Sequence, residues 1–587
     1  MGIALTGTKR LTSTLAKGWP IVLLGGTMWL ARYLHSGQFG LYEDDLTFVP
    51  AAAQRSFPEM VENTFSRIAL AQGQGRPLHH VLIDLLSHAS WRLGELRGAY
   101  LLGFLLITLN VVLFFGLVRR VHSTALGVIA AIFYALYSAD TTQAFLTHSF
   151  GLQPALTMLL LALYAYLDER RLAAYGFLSL ALLSYETTFP VFLAAPLLGG
   201  GWDRRMAGRL VRNGWVMGLI LALSLAIRVG LGEPRVAGLG LREMLVTPLS
   251  HILEGPPVAL ATYVYRPLQA LEALDLEIAL ALSVAAVVFA AVLLTMSLGT
   301  PSALAAYLRS VRQAIRDRGF SVRKVGAVSA GLPAEVKALA RLAAAGLTML
   351  VLAYPLTLTV RAYAISGRDT RVHAAGVIGA ALCLGSLTMG ALWMAEAVGR
   401  KRWAAAIAGL WLGLMAAYGI VLQRDYARAW TLQQDFWTPL VRLIPDVRDG
   451  TVILVDPAGL QDSRQIGANT WNLPRVLRQI YTFPSEWASV PRVYRMVPGW
   501  EETLLTDDGG IVLDAGTISS PSFTSGVIDP AETILIVMRE GRLQRVSGSY
   551  LVDDVVVDFQ TTTAVGEPAY PPGFLYEYLV LESRREG

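Results

Sequence analysis

Apolar runs of membrane length recur along the first 422 residues, separated by short polar loops, and then stop. A helix that crosses the hydrocarbon core takes about 20 residues. Eleven stretches approach that length, at about 18–34, 98–118, 124–138, 150–167, 172–184, 187–199, 214–231, 276–298, 341–360, 372–395 and 403–422. The stretches 172–184 and 187–199 are short enough to be one long tilted helix or two half-helices. Beyond 422 the pattern changes. "RDYARAWTLQQDFWTPLVRLIP" predicts an amphipathic helix, and short β-rich runs follow at 451–456, 510–516, 533–546 and 550–559, punctuated by Gly, Pro and Asp. The fold class read from this pattern is a polytopic α-helical membrane protein with about eleven transmembrane helices over 1–422, followed by a small soluble α+β domain over 423–587.

Composition supports that division. The chain of 587 residues is 54% hydrophobic and 16% charged, against about 25% charged in soluble domains. Its net charge of +5 excludes little by itself. The basic residues gather in short loops between apolar runs, which is the positive-inside pattern of a membrane protein and not a nucleic-acid surface. Lys9, Arg10 and Lys17, the pair Arg119-Arg120, "DERR" (168–171), "DRRMAGRLVR" (203–212), the segment 309–341 and "GRKR" (399–402) all fall on one side if 172–199 crosses twice. The expected location is the cell membrane, multi-pass, with the N-terminus cytoplasmic and uncleaved. The loops 35–97, 139–149, 232–275 and 361–371 and the C-terminal domain are then extracytoplasmic. Cys383, the only cysteine, lies in an apolar run, so no disulfide is expected in the soluble part.

Two outer segments carry chemistry. After the first apolar run, "GLYEDDLTFVP" sets Glu43, Asp44 and Asp45 side by side, and 46–72 mixes aromatic, aliphatic and charged residues at helical spacing. That spacing predicts one or two helices lying in the interface plane. "GQGRPLHHVLIDLL" then presents Arg76 on a Gly-rich turn, with Pro77 opening a helix whose first turn holds His79 and His80. The late loop "RAYAISGRDTR" places Arg361, Arg368 and Arg371 on the side where arginine is scarce.

This ordering, an acidic group at the outer end of the first membrane helix, interfacial helices and a Gly-Arg-Pro element, resembles the GT-C glycosyltransferases, including protein O-mannosyltransferase-like and aminoarabinose-transferase-like members. The resemblance covers about 1–422 in architecture and rests on "EDD", "GRPL" and the outer arginines; the tail is similar to small domains appended to bacterial members. It implies transfer of a sugar from a polyprenyl-phosphate or polyprenyl-pyrophosphate carrier to a lipid, glycan or protein acceptor. Such a reaction needs a base for the acceptor hydroxyl, positive charge for the leaving phosphate and an apolar groove for the tail. The resemblance gives the base to Asp44 or Asp45, with Asp44 preferred, and makes Glu43 a neighbour that raises its pKa by like-charge repulsion. Arg76, Arg361, Arg368 and Arg371 become the phosphate ligands, Arg368 foremost. Some members hold a divalent cation, Mg or Mn; Asp44 and Asp45 with His79, His80 or Asp140 offer donors for one, though the spacing does not demand it.

Plainer readings stand beside these. The acidic triplet also fits a solvated helix end, the outer arginines fit lipid-headgroup contacts, and His79 and His80 fit structural roles. Asp140 and His148 read as loop residues. Glu186, in "SYETTFP" between two short apolar runs, is either functional or a partner for a broken helix end. The basic pattern 307–326 fits a helix on the anionic inner leaflet, and Trp430, Phe436, Trp437 and Trp471 fit core or interface anchors. A transporter would carry inverted repeats, which the sequence lacks; a catalytically silent scaffold subunit of a membrane assembly is the remaining rival.

Overall fold

The computed structural model describes residues 18–69, 75–199, 202–230, 240–296, 333–357, 361–469, 472–500, 511–513, 526–552, 555–561 and 566–581. Lys9, Arg10, Lys17, Trp471 and the basic stretch 307–326 lie outside the described residues.

The membrane part is a helical bundle, and the protein is a polytopic helical membrane protein. Helix α1 (18–33) ends in a π-helical turn, Trp29–Tyr33. Next come α2 (Asp45–Ala53), α3 (Phe57–Ala69), α4 (Pro77–Val121), α5 (Thr124–Ala135), α6 (Leu146–Leu167), α7 (Arg171–Ser184), a 3₁₀ stretch (Glu186–Ala194) and the short α8 (Ala195–Leu198). The bundle continues through α9 (Arg204–Gly230), α10 (Leu241–Glu272), α11 (Leu276–Met296), α12 (Ala334–Leu352), α13 (Val377–Ala397) and α14 (Lys401–Leu443). Six helices among the described residues are long and apolar enough to cross a membrane: α4, α6, α9, α11, the stretch Arg368–Ala397 containing α13, and α14. Thr124–Ala135, Arg171–Ser184 and Glu186–Leu198 are apolar but shorter. The segment 172–199 breaks at Tyr185, whose extended backbone ends α7 and begins the 3₁₀ stretch, so it is not one long helix.

The interfacial helices form where the spacing predicts them. Ser56 and Glu59 start α3 as a reciprocal cap, Glu59 Oε2 accepting from Ser56 N at 2.8 Å. Phe57 and Phe65 on α3 are about two-thirds exposed, as suits a helix resting on lipid. Helix α4 holds two pieces, because Gly94 and Glu95 leave helical geometry inside it.

Small residues let the bundle close. Gly409 and Gly413 of α14 meet Ala286 and Ala290 of α11, and Gly346 of α12 meets Gly379 and Cys383 of α13. Such contacts are the usual glue between membrane helices, where burial of apolar surface no longer drives association. Some buried polar groups pair between the helices: Asn110 Nδ2 donates to Gln153 O at 2.9 Å and Thr157 donates to Asn110 Oδ1 at 2.7 Å.

The expected boundary at 422/423 falls inside α14, which runs unbroken from Lys401 to Leu443, so the last span and the tail's first helix are one element. The charges that suggested an end are paired in place. Arg424 binds Asp275 and Glu277, and Asp425 accepts the N–H groups of Arg464, Gln465 and Ile466. Beyond α14 a four-stranded sheet has the order β2-β1-β5-β6, with β1 (Val452–Val455) parallel to β2 (Arg492–Arg495) and β5 (Thr533–Arg539), and β6 (Arg542–Arg545) antiparallel to β5. Helix α15 (Leu473–Ile480) lies between β1 and β2 in the chain. Two hairpins, β3 (Ile511–Leu513) with β4 (Gly526–Ile528) and β7 (Gly548–Val552) with β8 (Val555–Phe559), and the short α16 (Tyr576–Leu579) complete the described tail.

A close helix crossing gives a test. A Cβ on Gly379 would sit 2.2 Å from Leu350 N, so α12 and α13 must separate to admit one. Gly379→Val is expected to destabilise the bundle by about 1–3 kcal/mol, read as a lower melting temperature in detergent, while Gly176→Ala, where a Cβ meets nothing, leaves it unchanged.

Candidate functional site

Between α1 and α2 the chain makes a narrow passage. Gly40 lies flat against Trp430, where a Cβ would fall 1.8 Å from the indole. Tyr42 stacks on Phe145 at 5.6 Å between ring centres and donates to Tyr426 O at 2.8 Å, and Gln433 donates to Leu41 O at 3.1 Å. Held on both sides, the chain turns at Glu43 and Asp44. Glu43 has φ +48°, a left-handed conformation that a long side chain adopts at a cost. Asn472, just ahead of α15, fixes that turn. Its Nδ2 donates to Glu43 O and its Oδ1 accepts from Thr47 Oγ1 at 3.2 Å.

The three adjacent carboxylates take three different places. Asp45 is fully buried and accepts from Leu146 N at 3.0 Å, Thr147 N at 2.8 Å and Thr147 Oγ1 at 2.7 Å. It caps the N-terminus of α6, 101 residues away in sequence at Leu146, and is not a group open to substrate. Burial pushes its carboxyl up to about 7, against the pull of those hydrogen bonds. Asp44 is partly exposed and accepts from Arg368 Nη2 at 2.9 Å. Glu43 is 5% exposed, and its Oε2 lies 3.5 Å from Arg368 Nε. Burial pushes the Glu43 carboxyl up to about 7; Arg368 opposes the shift and the charge of Asp44 adds to it. The like-charge effect expected from Glu43 on its neighbours thus acts on Glu43 itself.

The arginine side is built as firmly. Gly367, at φ +67°, donates its N–H to Gln465 O at 2.9 Å, and Arg266, itself buried, donates to Ile365 O. Arg368 then opens the 3₁₀ turn Arg368–Gly376. One segment of the tail, 465–472, thus grips both halves of the carboxylate–arginine pair, through Gln465 on one side and Asn472 on the other.

Arg371, one 3₁₀ turn on, lies within electrostatic reach of Arg368, Asp44, Arg76 and Tyr185, and makes no salt bridge among the described residues. Arg76 sits at the N-cap of α4, with both guanidinium arms on the Glu186 carboxylate and its plane 4.4 Å over the Tyr185 ring. His79 packs against Gly151 of α6, 5.8 Å from the Tyr185 ring, and His80 lies 5.3 Å from His79 and 5.4 Å from Phe48. Glu43, Asp44, Arg368, Arg371, Arg76 and Glu186 thus form one charged cluster, with His79 at its edge.

Two expected members lie elsewhere. Arg361 is exposed and donates to Tyr363 Oη at 2.5 Å, with no pairing to the cluster. Asp140 is buried and accepts from Thr142 N at 2.9 Å and Thr142 Oγ1 at 2.7 Å, shaping the turn before α6. Burial raises its carboxyl above the usual range. A divalent ion shared by Asp44 and Asp45 does not fit, because the Asp45 oxygens are taken by α6 and Asp44 faces Arg368. No group of three His, Cys, Asp or Glu among the described residues could hold a metal ion. Asn472, Gln465, Tyr185 and Arg266 are the contributors that sequence reasoning missed. Only Arg266, the one charged residue between Glu254 and Glu272, carried a signal that could have found it.

No family model matches the chain, and no curated protein matches it. Among solved structures it is similar to ArnT from Cupriavidus metallidurans bound to undecaprenyl phosphate, with TM-score 0.34 and 12% identity over 75% of this chain and 83% of that one. The apo state of ArnT from the same organism gives TM-score 0.28 and 16% identity over 76% and 83%. A likeness this loose leaves the function to be read from the geometry of the site itself.

The separate places of Asp45 and Asp44 predict opposite outcomes. Asp45→Ala removes a buried cap and should cost about 1–3 kcal/mol, seen as a lower melting temperature. Asp44→Asn, which loses one partly exposed bridge, should stay within about 1 kcal/mol of the parent in the same measurement.

Proposed function

We propose that the protein is a GT-C-type membrane glycosyltransferase that moves a sugar from a polyprenyl-phosphate carrier to an acceptor hydroxyl on the extracytoplasmic face. The observation that carries this reading is the meeting of Glu43 and Asp44 with Arg368 and Arg371, across more than 320 residues of sequence, with Arg371 left without a carboxylate of its own. A carboxyl raised toward neutrality, beside a guanidinium that feels nearby carboxylates but makes no salt bridge among the described residues, suits transfer from a phosphate leaving group. In the proposed reaction the carboxylate takes the acceptor's proton as its oxygen attacks the anomeric carbon. The bond from that carbon to the phosphate oxygen breaks, and the arginines receive the departing charge.

Glu43 is the better-matched base. Its carboxyl is pushed up to about 7 by burial, close to the pH at which a base works best, and Arg368 engages it less closely, at 3.5 Å, than it engages Asp44, at 2.9 Å. Asp44 then aims Arg368. The carrier's tail has a place to lie. Trp215, Leu219, Leu223 and Ile227 form an exposed apolar stripe up α9, which ends at Arg228, whose Nη2 donates to Gly75 O at 2.6 Å beside Arg76. In this reading the acidic turn and the tail face outward, as the distribution of basic loops requires, and all eleven apolar segments cross the membrane.

The test uses the full chain in lipid nanodiscs with a polyprenyl-phosphate sugar. Glu43→Gln and Asp44→Asn should each lower kcat/KM by about 10²–10⁴-fold. Because Glu43 works as a base only once its proton is lost, the parent rate should rise with pH through about 7. Asp44→Asn should keep that rise and Glu43→Gln should lose it. Arg371→Ala should weaken undecaprenyl-phosphate binding by about 10–100-fold, the cost of a charge-assisted hydrogen bond. No turnover in the parent would instead favour a silent scaffold, and full activity in both carboxylate variants would remove Glu43 and Asp44 from the chemistry.

A further inference from the structure

His148, which reads from sequence as a loop residue, stands in the first turn of α6 and is 7% exposed. That turn begins where the two halves of the site meet. Asp45 of the acidic turn holds the Leu146 and Thr147 N–H groups, and Phe145, which stacks on Tyr42, has its ring centre 5.3 Å from that of His148. From the arginine side, Thr141 N and Oγ1 lie 3.1 and 2.9 Å from Thr370 Oγ1, and Thr370 stands between Arg368 and Arg371 in the 3₁₀ turn. Gly151, three residues beyond His148 on the same face of α6, packs on His79. His148 is accordingly within electrostatic reach of Arg368, Arg371 and His79.

A chain of hydrogen bonds orients the imidazole. Asp140 Oδ1 accepts from Thr142 N at 2.9 Å and lies 2.7 Å from Thr142 Oγ1. The oxygen that takes the Thr142 N–H is an acceptor, so the one hydroxyl proton of Thr142 is directed to it. Thr142 Oγ1 is left with lone pairs for His148 Nδ1, 2.8 Å away. Nδ1 therefore carries a proton, and in the neutral imidazole Nε2 then holds the lone pair. Among the described residues, no group donates a hydrogen bond to Nε2. Asp140 and Thr142 thus fix what His148 presents: an acceptor, in a cluster whose arginines are donors only.

That lone pair selects among the parts of the donor. A phosphate oxygen is repelled by it and attracted by the guanidinium groups of Arg368 and Arg371. A hydroxyl group is attracted by it. In the proposed reaction the anomeric carbon lies between the carboxylate that activates the acceptor and the arginines that take the phosphate. The sugar ring is then the part of the donor that occupies the junction of the two turns, where α6 begins. We infer that His148 Nε2 accepts a hydrogen bond from one hydroxyl of the transferred sugar, and that Thr142 and Asp140 are positioning residues for it. The inference rests on the glycosyltransferase reading and adds to it the residue that recognises the sugar: the donor is one that carries a free hydroxyl at that ring position.

The test uses the full chain in nanodiscs with a panel of polyprenyl-phosphate hexoses and pentoses, followed by each monodeoxy analogue of the best donor. No turnover of any donor by the parent would overturn the glycosyltransferase reading, and the inference with it. With turnover established, the analogues test the inference alone. One monodeoxy donor should lose about tenfold or more in kcat/KM, because the acceptor built for its hydroxyl is left unpaired. His148→Phe should use that analogue and the full donor alike, while keeping the parent's penalties at the other ring positions and its binding of undecaprenyl phosphate. His148→Gln, which can place an amide oxygen near the position of Nε2, should recover part of the discrimination. Thr142→Val, which keeps the imidazole but frees its tautomer, should erode it. Equal use of every analogue by the parent would overturn the inference without touching the glycosyltransferase reading. So would an unchanged penalty in His148→Phe, or a lower melting temperature there with selectivity intact, which would make the relay structural. An equal loss with every donor, together with loss of the rise in rate with pH, would make His148 the base and overturn it too.

Discussion

The site depends on one contact, the Arg368 guanidinium held between Glu43 and Asp44. Removing charges from water is expensive, and a partly buried pair holds together only when its surroundings fix the geometry. Here the surroundings do so from both sides. The acidic turn is pinned by Tyr42, Gln433 and Asn472, and the arginine turn by Gln465 and Arg266. Glu43 can therefore occupy a left-handed backbone conformation and a low-dielectric pocket together, and the second of these is what carries its carboxyl to neutrality. Strain and burial, each unfavourable alone, persist because the rest of the fold over-determines the turn.

Arg76 and Glu186 answer a related problem at the broken segment. The chain leaves α7 at Tyr185, and an acidic group, Glu186, opens the 3₁₀ stretch. Arg76 neutralises it with a two-armed contact and lays its plane on Tyr185. A cation that might have faced a ligand alone is thus partly committed. Arg371, the neighbour without a bridge, keeps more of its charge for something else.

Much of this was legible in the sequence, and the rest was hidden for physical reasons. The apolar runs located the helices, because membrane-length hydrophobicity leaves few other outcomes. The acidic turn and the late arginines could be expected to meet, since both were assigned to the same face. What sequence could not distinguish was Asp44 from Asp45. Their charges are identical, and the difference is made by the N–H groups of Leu146 and Thr147, which only the tertiary fold brings near. Arg361 and Arg368 likewise differ by seven positions in one loop, and only the second is oriented by Gly367. The end of α14 was misplaced because Arg424 and Asp425 look like a helix meeting water, whereas their partners come from 275–277 and 464–466.

The unbroken α14 has a mechanical consequence. At about 1.5 Å per residue, its 43 residues extend roughly 65 Å, about twice the 30 Å of a hydrocarbon core. It acts as a rigid mast, rooted among the membrane helices and carrying the sheet on its upper half, with no joint between. Whatever is mounted on the far end of that mast is therefore held at a constant distance from the membrane helices at its root.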